Sequence, residues 1–113
     1  MRSRYAAFAL GLGDYLVRTL ASSHPDRGRP VHELARDLSR ARVRQRFTGL
    51  RIVRAASSSD SGQVLFLARV FERGIDRSFG ELSTFVREAG AWRYASGESV
   101  TVEELEKSLT AME

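Results

Sequence analysis

Residues 63–72 read Gln-Val-Leu-Phe-Leu-Ala-Arg-Val-Phe-Glu, and this is the most strand-like stretch of the chain. Its apolar side chains occupy both alternating faces, whereas a strand with one face in water would alternate apolar and polar residues. We therefore predict a central strand over Gln63–Glu72 that is covered on both sides.

The stretches around it predict further strands joined by short turns. Phe47–Ala56 comes before a turn rich in Ser and Gly, while Phe79–Glu88 and Ala91–Ala95 follow and are separated by Ala89-Gly90. Short turns join antiparallel neighbours, because a parallel crossover needs a dozen or more residues. We expect an antiparallel meander that ends at Ser96-Gly97.

Apolar residues recur with helical spacing before this sheet. Asp14 is a candidate N-cap for a short helix, and Pro30 suits the first turn of a later one. The apolar positions spaced i, i+3, i+4 and i+7 form two stripes, Tyr5, Phe8, Ala9 and Leu12, and then Val31, Leu34, Ala35 and Leu38. The N-terminal third is therefore predicted to be helical.

A last helix is predicted after the sheet. Thr101 and Glu104 have the spacing of a capping box. The apolar positions of this helix are Val102, Leu105, Leu109 and Met112. Helices followed by a curled antiparallel sheet indicate the α+β class, with helices packed on one face. A chain of 113 residues fits one domain.

The composition excludes several kinds of site. The chain has no Cys, which excludes a disulfide scaffold, a Cys-ligated zinc site, an iron–sulfur cluster and a thiol nucleophile. Its two His residues, His24 and His32, lack metal-ligand spacing, so we expect no metal and no cofactor. No apolar run approaches the roughly 20 residues of a membrane span. A cytoplasmic location and no membrane partner are expected.

The charge is unevenly distributed. Residues 1–54 contain 12 basic and 4 acidic side chains, and residues 55–113 contain 6 basic and 10 acidic ones. Four arginines alternate near the end of the helical part: Arg40, Arg42, Arg44 and Arg46. In an extended chain they would lie on one edge and could contact phosphates. A solvated face is the plainer interpretation, and nucleic acid stays an alternative partner.

Four stretches resemble the YchJ-like family. They are Met1–Phe8, the pair His24-Pro25, Phe47–Ile52 and the block Glu81–Tyr94, of which the last is the most specific. The resemblance covers residues 1–97 and leaves 98–113 as a C-terminal helical extension. It implies a nuclear transport factor 2-like (cystatin-like) cone, in which a strongly bent sheet wraps around the N-terminal helices and leaves a pocket between them.

The chain departs from this family in one respect. Family members usually carry short Cys-rich SEC-C segments that are thought to bind zinc, and this Cys-free chain cannot supply that site. Because the family signature begins at Met1, we expect one of two explanations. Either the chain has lost its N-terminal segment, or its translation starts upstream of Met1. The resemblance therefore implies a fold rather than a reaction.

Several side chains could line the implied pocket. Alternation along Phe79–Glu88 places Glu81 on the same face as aromatic and hydroxyl groups, where a carboxylate needs an Arg or Tyr partner. An ion pair with Arg2 or Arg4 is the favoured structural interpretation. His24 could act as a base or fix its loop, and Asp14 is a weaker candidate base. The pocket candidates are Tyr5, His24, Phe66, Glu81, Ser83, Phe85, Trp92 and Tyr94.

Three functions remain open from the sequence. The first is a domain that binds an unknown small apolar or polar ligand, or another protein. The second is a small isomerase or hydrolase that uses a buried carboxylate or His, and the third is a nucleic-acid module that uses the Arg-rich segment 36–46. A second copy could also pack against the sheet to form a homodimer, unless the C-terminal helix covers that surface.

Overall fold

The strands form one antiparallel sheet with helices before and after it. A computed structural model describes residues 1–112, with the backbone alone at Ala41 and at 108–112. The helices are α1 (Arg2–Leu10), α2 (Gly13–Arg18), α3 (Val31–Ser39), α4 (Ala41–Arg44) and α5 (Val102–Met112), with a 3-10 turn at Pro25–Gly28. The strands are β1 (Arg46–Ser57), β2 (Ser61–Glu72), β3 (Ile75–Asp76), β4 (Phe79–Glu88) and β5 (Ala91–Val100).

The predicted central strand is confirmed as β2. The main order of the sheet is β1-β2-β4-β5, and the short β3 pairs with the end of β2. Phe66, Ala68 and Val70 of β2 pack toward α1 and β1 on one face. Leu67 packs on the other face against Leu105 of α5. Both faces of β2 are therefore covered, as its two-sided apolar pattern predicts.

The sheet is bent around the N-terminal helices, so the predicted α+β cone is confirmed. The β1–β2 register shifts between Phe47 and Gly49 and again between Ile52 and Arg54. A third shift occurs in the β4–β5 pair, between Thr84 and Phe85. Such bulges bend a strand and increase its twist. The concave face that results holds α1 and the loop after α2.

The last strand is longer than predicted. It was expected to end at Ser96-Gly97, but β5 continues to Val100 and pairs with β4 as far as Gly80. Gly97 lies opposite Ser83 within this ladder. Here glycine does not mark a turn. It marks a close approach of side chains to the strand, which is the other common meaning of a glycine inside a strand.

The junction of α2 with α3 also differs from the prediction. Asp14 is not the N-cap, because α2 begins at Gly13 and Asp14 lies in its first turn. The Gly13 N–H donates instead to the Ser39 hydroxyl of α3, at 2.9 Å. A Cβ on Gly13 would lie 1.9 Å from the Ala35 carbonyl oxygen, so this contact between the helices requires glycine.

The two helical stripes are buried in part. Leu34 and Ala35 of α3 form a core cluster with Val17 and Leu20. The outer positions of both stripes are exposed, with Leu12 at 49% and Val31 at 57%. The stripe of α3 is thus buried at its middle positions, whereas the buried residues of α1 are Arg4 and Ala7, which lie next to the predicted stripe.

The C-terminal helix packs on the convex face of the sheet. The Glu104 N–H donates to the Thr101 hydroxyl at 3.2 Å, which is the predicted cap. Leu105 is 1% exposed and packs against Val53 and Leu67. The side chains of Leu109 and Met112 lie outside the described residues. This helix covers part of the face on which a second copy could pack, and the homodimer stays a prediction.

Candidate functional site

A cavity of about 310 Å³ lies between the N-terminal helices and the concave face of the sheet. We call it the cone cavity. Its walls are mainly apolar and come from every layer of the fold: Phe8, Leu20, Leu38, Phe47, Phe66, Ala68 and Phe79. Its polar lining residues are Arg4, Tyr5, His24, Asp26, Glu81 and Tyr94. A mainly apolar cavity with a few convergent polar groups is the usual form of a small-molecule site.

Glu81 is the carboxylate of β4 that faces this cavity. Its Oε2 atom accepts a hydrogen bond from the Tyr94 hydroxyl at 2.9 Å and another from the Ser83 hydroxyl. Ser83 is fully buried and shares the face of Glu81 because it lies two residues further along the strand. Within the described part of the chain, Oε1 of Glu81 has no hydrogen-bond partner. This oxygen is therefore available to a ligand.

Gly97 makes room for this arrangement. A Cβ at Gly97 would lie 2.4 Å from Cδ of Glu81 and 2.5 Å from the Tyr94 hydroxyl. Such distances are too short for a Cβ atom, so with any residue but glycine at position 97 the ends of the Glu81 and Tyr94 side chains would have to shift. The glycine that the sequence suggested as a strand end is thus part of the frame of the site.

Tyr94 is held on three sides. Its ring makes an edge contact with Phe85, with ring centroids 5.7 Å apart, and the His24 ring lies 5.8 Å away. The Arg4 guanidinium lies over the other face, 4.8 Å from the ring centroid. Burial raises the pKa of Tyr94, and the negative charge of Glu81 raises it further. Tyr94 therefore stays a neutral hydrogen-bond donor to Glu81.

Arg4 does not form the predicted ion pair with Glu81, and neither does Arg2. The Nη1 atom of Arg4 donates to the Leu16 carbonyl at 2.9 Å and to the Thr19 hydroxyl. These two acceptors, together with the ring of Tyr94, hold the guanidinium without a direct ion pair to Glu81, whose charge still acts on Arg4 at longer range. Arg4 is only 6% exposed, and burial lowers its pKa.

His24 has the loop-fixing role that the sequence favoured, and its ring also lines the cavity. It caps the 3-10 turn, because Nδ1 accepts a hydrogen bond from the Asp26 N–H at 3.1 Å. A neutral ring that accepts through Nδ1 carries its proton on Nε2. His24 can therefore offer one N–H donor.

The Tyr5 hydroxyl is sealed from solvent and lacks a hydrogen-bond partner, and it is the one such side-chain atom in the described region. Burial raises the pKa of Tyr5, and the nearby Gly49 backbone amide opposes this rise. The ring makes an edge contact with Phe47, with centroids 5.6 Å apart.

Seven of the eight candidates line one of two cavities, and the eighth, Ser83, lies buried behind Glu81 and lines neither. Five of them line the cone cavity: Tyr5, His24, Phe66, Glu81 and Tyr94. Phe85 and Trp92 line a separate groove, and Trp92 is 36% exposed with the Arg87 guanidinium 4.5 Å from its ring centroid. Sequence reasoning named Arg4 only as a possible ion-pair partner of Glu81 and missed it as a lining residue, although a cation four residues before Phe8 in the predicted helix is a signal that could have found it.

The predicted row of arginines does not exist as an extended edge. Residues 41–44 form the helical turn α4, and β1 begins only at Arg46. Arg40 and Arg44 line a shallow cavity together with Asp37 and Glu72. Arg42 points elsewhere and donates to the Leu10 carbonyl at 3.3 Å. Helical spacing directs the guanidiniums apart, so the geometric argument for a phosphate-binding row is lost.

Metal-binding clusters and membrane-spanning helices can be judged for the described residues. Across residues 1–112, no three His, Asp or Glu side chains lie close enough to hold a metal ion together. In that same part of the chain, no helix has the length and apolar character that a membrane crossing needs.

Comparison with known proteins agrees with this fold. The model of the YchJ middle domain, of NTF2-like type, matches residues 1–97. A UPF0225 protein of Chromobacterium violaceum is 39% identical over 100 residues, which are 86% of this chain and 69% of that protein. A UPF0225 protein of Bordetella pertussis is 36% identical over 100 residues, covering 87% and 68%.

A solved structure is also similar. The solution structure of a SEC-C motif containing protein from Rhodopseudomonas palustris has a TM-score of 0.74 and 34% sequence identity, and the match covers 88% of this chain and 75% of that one. The UPF0225 relatives and this structure each match more than four fifths of the chain, as the family model does. The chain belongs to the YchJ family, and residues 1–97 are its middle NTF2-like domain.

Proposed function

We propose that this domain binds a small organic molecule in the cone cavity, and that the molecule has an apolar body and a basic, hydrogen-bond-donating head. The observation that carries this proposal is the free Oε1 oxygen of Glu81 at the edge of a mainly apolar cavity of about 310 Å³. This volume lies at the lower end of the usual range for small-molecule sites.

The polar groups determine which head fits. The carboxylate of Glu81 is oriented by Ser83 and Tyr94 through its other oxygen, so a ligand meets a preformed acceptor. A hydrogen bond between a charged donor and a carboxylate is about twice as strong as one between neutral groups. The aromatic walls at Phe66 and Phe79 suit a planar or alkyl body. An amine with an aromatic body is the simplest probe of this chemistry.

The test is a titration of isotope-labelled protein with benzylamine, followed by NMR of the methyl groups. We expect shifts at Leu20, Leu38 and Ala68, which line the cavity. Benzyl alcohol, which lacks the charge, should bind about tenfold more weakly. Glu81→Gln should weaken benzylamine binding by a similar factor.

The matched control is Glu98→Gln, which removes one charge from an exposed position of β5. It should leave the affinity within about twofold. Equal losses in the two variants, or shifts spread over the whole surface, would contradict the proposal.

A second candidate function is proton transfer to or from the bound molecule. It is favoured because the carboxylate of Glu81, the ring of His24 and the Tyr94 hydroxyl line one cavity, which is the convergence that an isomerase or hydrolase needs. In such a reaction Glu81 would accept a proton through Oε1. Asp14 does not line this cavity and takes no part.

Deuterium exchange at the α-carbon of acetophenone in heavy water would test this second candidate. Exchange faster than in buffer, and lost in Glu81→Gln, would support it. Exchange at the same rate as in buffer would contradict proton transfer to this class of compound and leave only binding.

A further inference from the structure

A second cavity, also of about 310 Å³, opens on the other side of Arg4. We call it the Arg4 groove. It lies between the start of α1 and α2 on one side and, on the other, residues 55–57 of β1, residues 62–64 of β2 and Trp92 of β5. Met1 and Arg4 line both this groove and the cone cavity, so Arg4 separates them.

The Arg4 groove is more positive than the cone cavity. Arg4 is the one charged side chain among its lining residues, and none of them is acidic. The cone cavity, by contrast, includes the carboxylates of Glu81 and Asp26. A groove that has a buried cation, no acidic side chain and low-dielectric walls attracts anions.

Arg4 lacks the anion that a buried guanidinium normally requires. It is 6% exposed, and its described neighbours include no carboxylate within 4.0 Å, since its contacts are the Leu16 carbonyl, the Thr19 hydroxyl and the ring of Tyr94. Burial of a charge is costly unless the charge is paired. The unpaired cation is therefore a feature that a bound anion would stabilise.

The free donors of Arg4 have the geometry for a carboxylate. Both of its described hydrogen bonds use Nη1, which has two N–H groups. The N–H groups of Nε and Nη2 have no hydrogen-bond partner among the described residues. Both atoms are accessible to solvent, because the Tyr5 hydroxyl is the one side-chain atom of the described region that is both buried and without a partner. Nε and Nη2 form one edge of the planar fork, which binds the two oxygens of a carboxylate side by side.

The other walls indicate the rest of the ligand. The Tyr15 hydroxyl donates to the Ser3 hydroxyl at 2.7 Å, which leaves the Ser3 proton free to donate to an anion. Phe85 and Trp92 supply aromatic surface in the same groove. A planar carboxylate would thus place its acid group on Arg4 and its ring against Trp92.

From these contacts we propose that the Arg4 groove is a second binding site, specific for small aromatic carboxylates. Arg4 binds the carboxylate through Nε and Nη2, and Trp92 packs against the ring. This site is distinct from the cone cavity, and it does not depend on the function proposed for that cavity.

Fluorescence of Trp92, the single tryptophan of the chain, reports directly on this groove. The full chain is titrated with benzoate, and with benzamide as the neutral compound of the same shape. We expect saturable quenching by benzoate and at least about tenfold weaker binding of benzamide. Equal affinity for the two compounds would overturn the proposal.

Two kinds of variant locate the site. Arg4→Lys keeps the charge but loses the fork, and should weaken benzoate binding about tenfold. Because substitution of a buried residue can impair folding, the exposed Gln63, which also lines the groove, is changed to Glu. Gln63→Glu places a like charge near the ligand and should weaken binding about threefold to tenfold.

Two control variants make the result decisive. Gln45→Glu adds the same charge before the other end of β1, and should leave the affinity within about twofold. Arg87→Gln removes the exposed guanidinium that stacks on Trp92 but does not line the groove. Arg87→Gln could abolish the quenching of Trp92 by benzoate while Gln63→Glu leaves the affinity for benzoate unchanged. In that case the carboxylate binds to Arg87 at the protein surface, and the proposal is wrong.

Discussion

Replacement of Gly97 by alanine would disturb the Glu81–Tyr94 pair without touching either residue. The added Cβ would lie 2.5 Å from Oε2 of Glu81 and 2.5 Å from the Tyr94 hydroxyl, which are shorter than any normal contact. Backbone strain does not contribute, because Gly97 is not among the residues with positive φ. The carboxylate must move, and its hydrogen bonds with Tyr94 and Ser83 would be broken.

The cost follows from these two hydrogen bonds. A hydrogen bond to a charged acceptor contributes roughly 1.5–3 kcal/mol, and a buried hydroxyl left without a partner costs about 1–3 kcal/mol. Because the Glu81 carboxylate is only half-buried, we take the lower part of the range and expect a loss of about 2 kcal/mol in the free energy of unfolding. In a domain of this size that corresponds to a fall of roughly 8 °C in Tm.

The assay is urea unfolding followed by circular dichroism, with Gly28→Ala as the matched control. No atom lies within 4 Å of a Cβ built on Gly28 and its φ is not positive, so the same change there should be neutral or stabilise by up to about 1 kcal/mol. In a background with Glu81→Ala and Tyr94→Phe, Gly97→Ala should cost less than about 1 kcal/mol, because the groups it displaces are gone. Equal stability of the two glycine variants would refute the reasoning.

Three further predictions concern the rest of the fold. Gly13→Ala should cost about 3 kcal/mol or more, since its Cβ would lie 1.9 Å from the Ala35 carbonyl oxygen, and a loss below about 1 kcal/mol in urea unfolding would contradict this. Leu105→Ala should cost about 3 kcal/mol because this side chain is 1% exposed, and light scattering of the variant would show whether the uncovered sheet face then associates. Hydrogen bonds from the Ser22 N–H and hydroxyl lower the pKa of Glu88. The stability that this carboxylate contributes is therefore complete above its ordinary pKa and is lost as the pH falls through the lowered pKa. Glu88→Gln should flatten the dependence of Tm on pH below about pH 5, and an unchanged dependence would contradict the contact.

Much of the fold could be predicted because it depends on local patterns. The alternation in β1, β2 and β4 and the turns between them are encoded within short windows. The strand Phe79–Glu88 has the predicted bounds, and Thr101 caps α5 as its spacing indicates. The predicted ends of elements were wrong where a residue contacts a neighbour that is distant in the sequence. Gly97 lies within a strand because of Glu81, and Gly13 begins α2 because of Ala35 and Ser39.

For the candidate site, the sequence predicted several of the residues but not the contacts between them. Alternation correctly placed Glu81 and Ser83 on one face of β4, where they bond to each other. The choice of Tyr94 rather than an arginine as the partner of Glu81 depends on where α1 crosses the sheet, and no local window contains that information. The extended row of arginines failed for the same reason, since α4 is a helical turn packed beside α1.

By itself the sequence determined the order of helices and strands, the central position of β2 and membership of the YchJ family, because periodicity and the block Glu81–Tyr94 are properties of neighbouring residues. The tertiary structure alone decided that Arg4 would lie between two cavities, of which only one contains carboxylates, and that the carboxylate of Glu81 would keep one free oxygen. Residues far apart in the chain meet through the curvature of the sheet and the crossing of the helices, and these depend on packing over the whole domain.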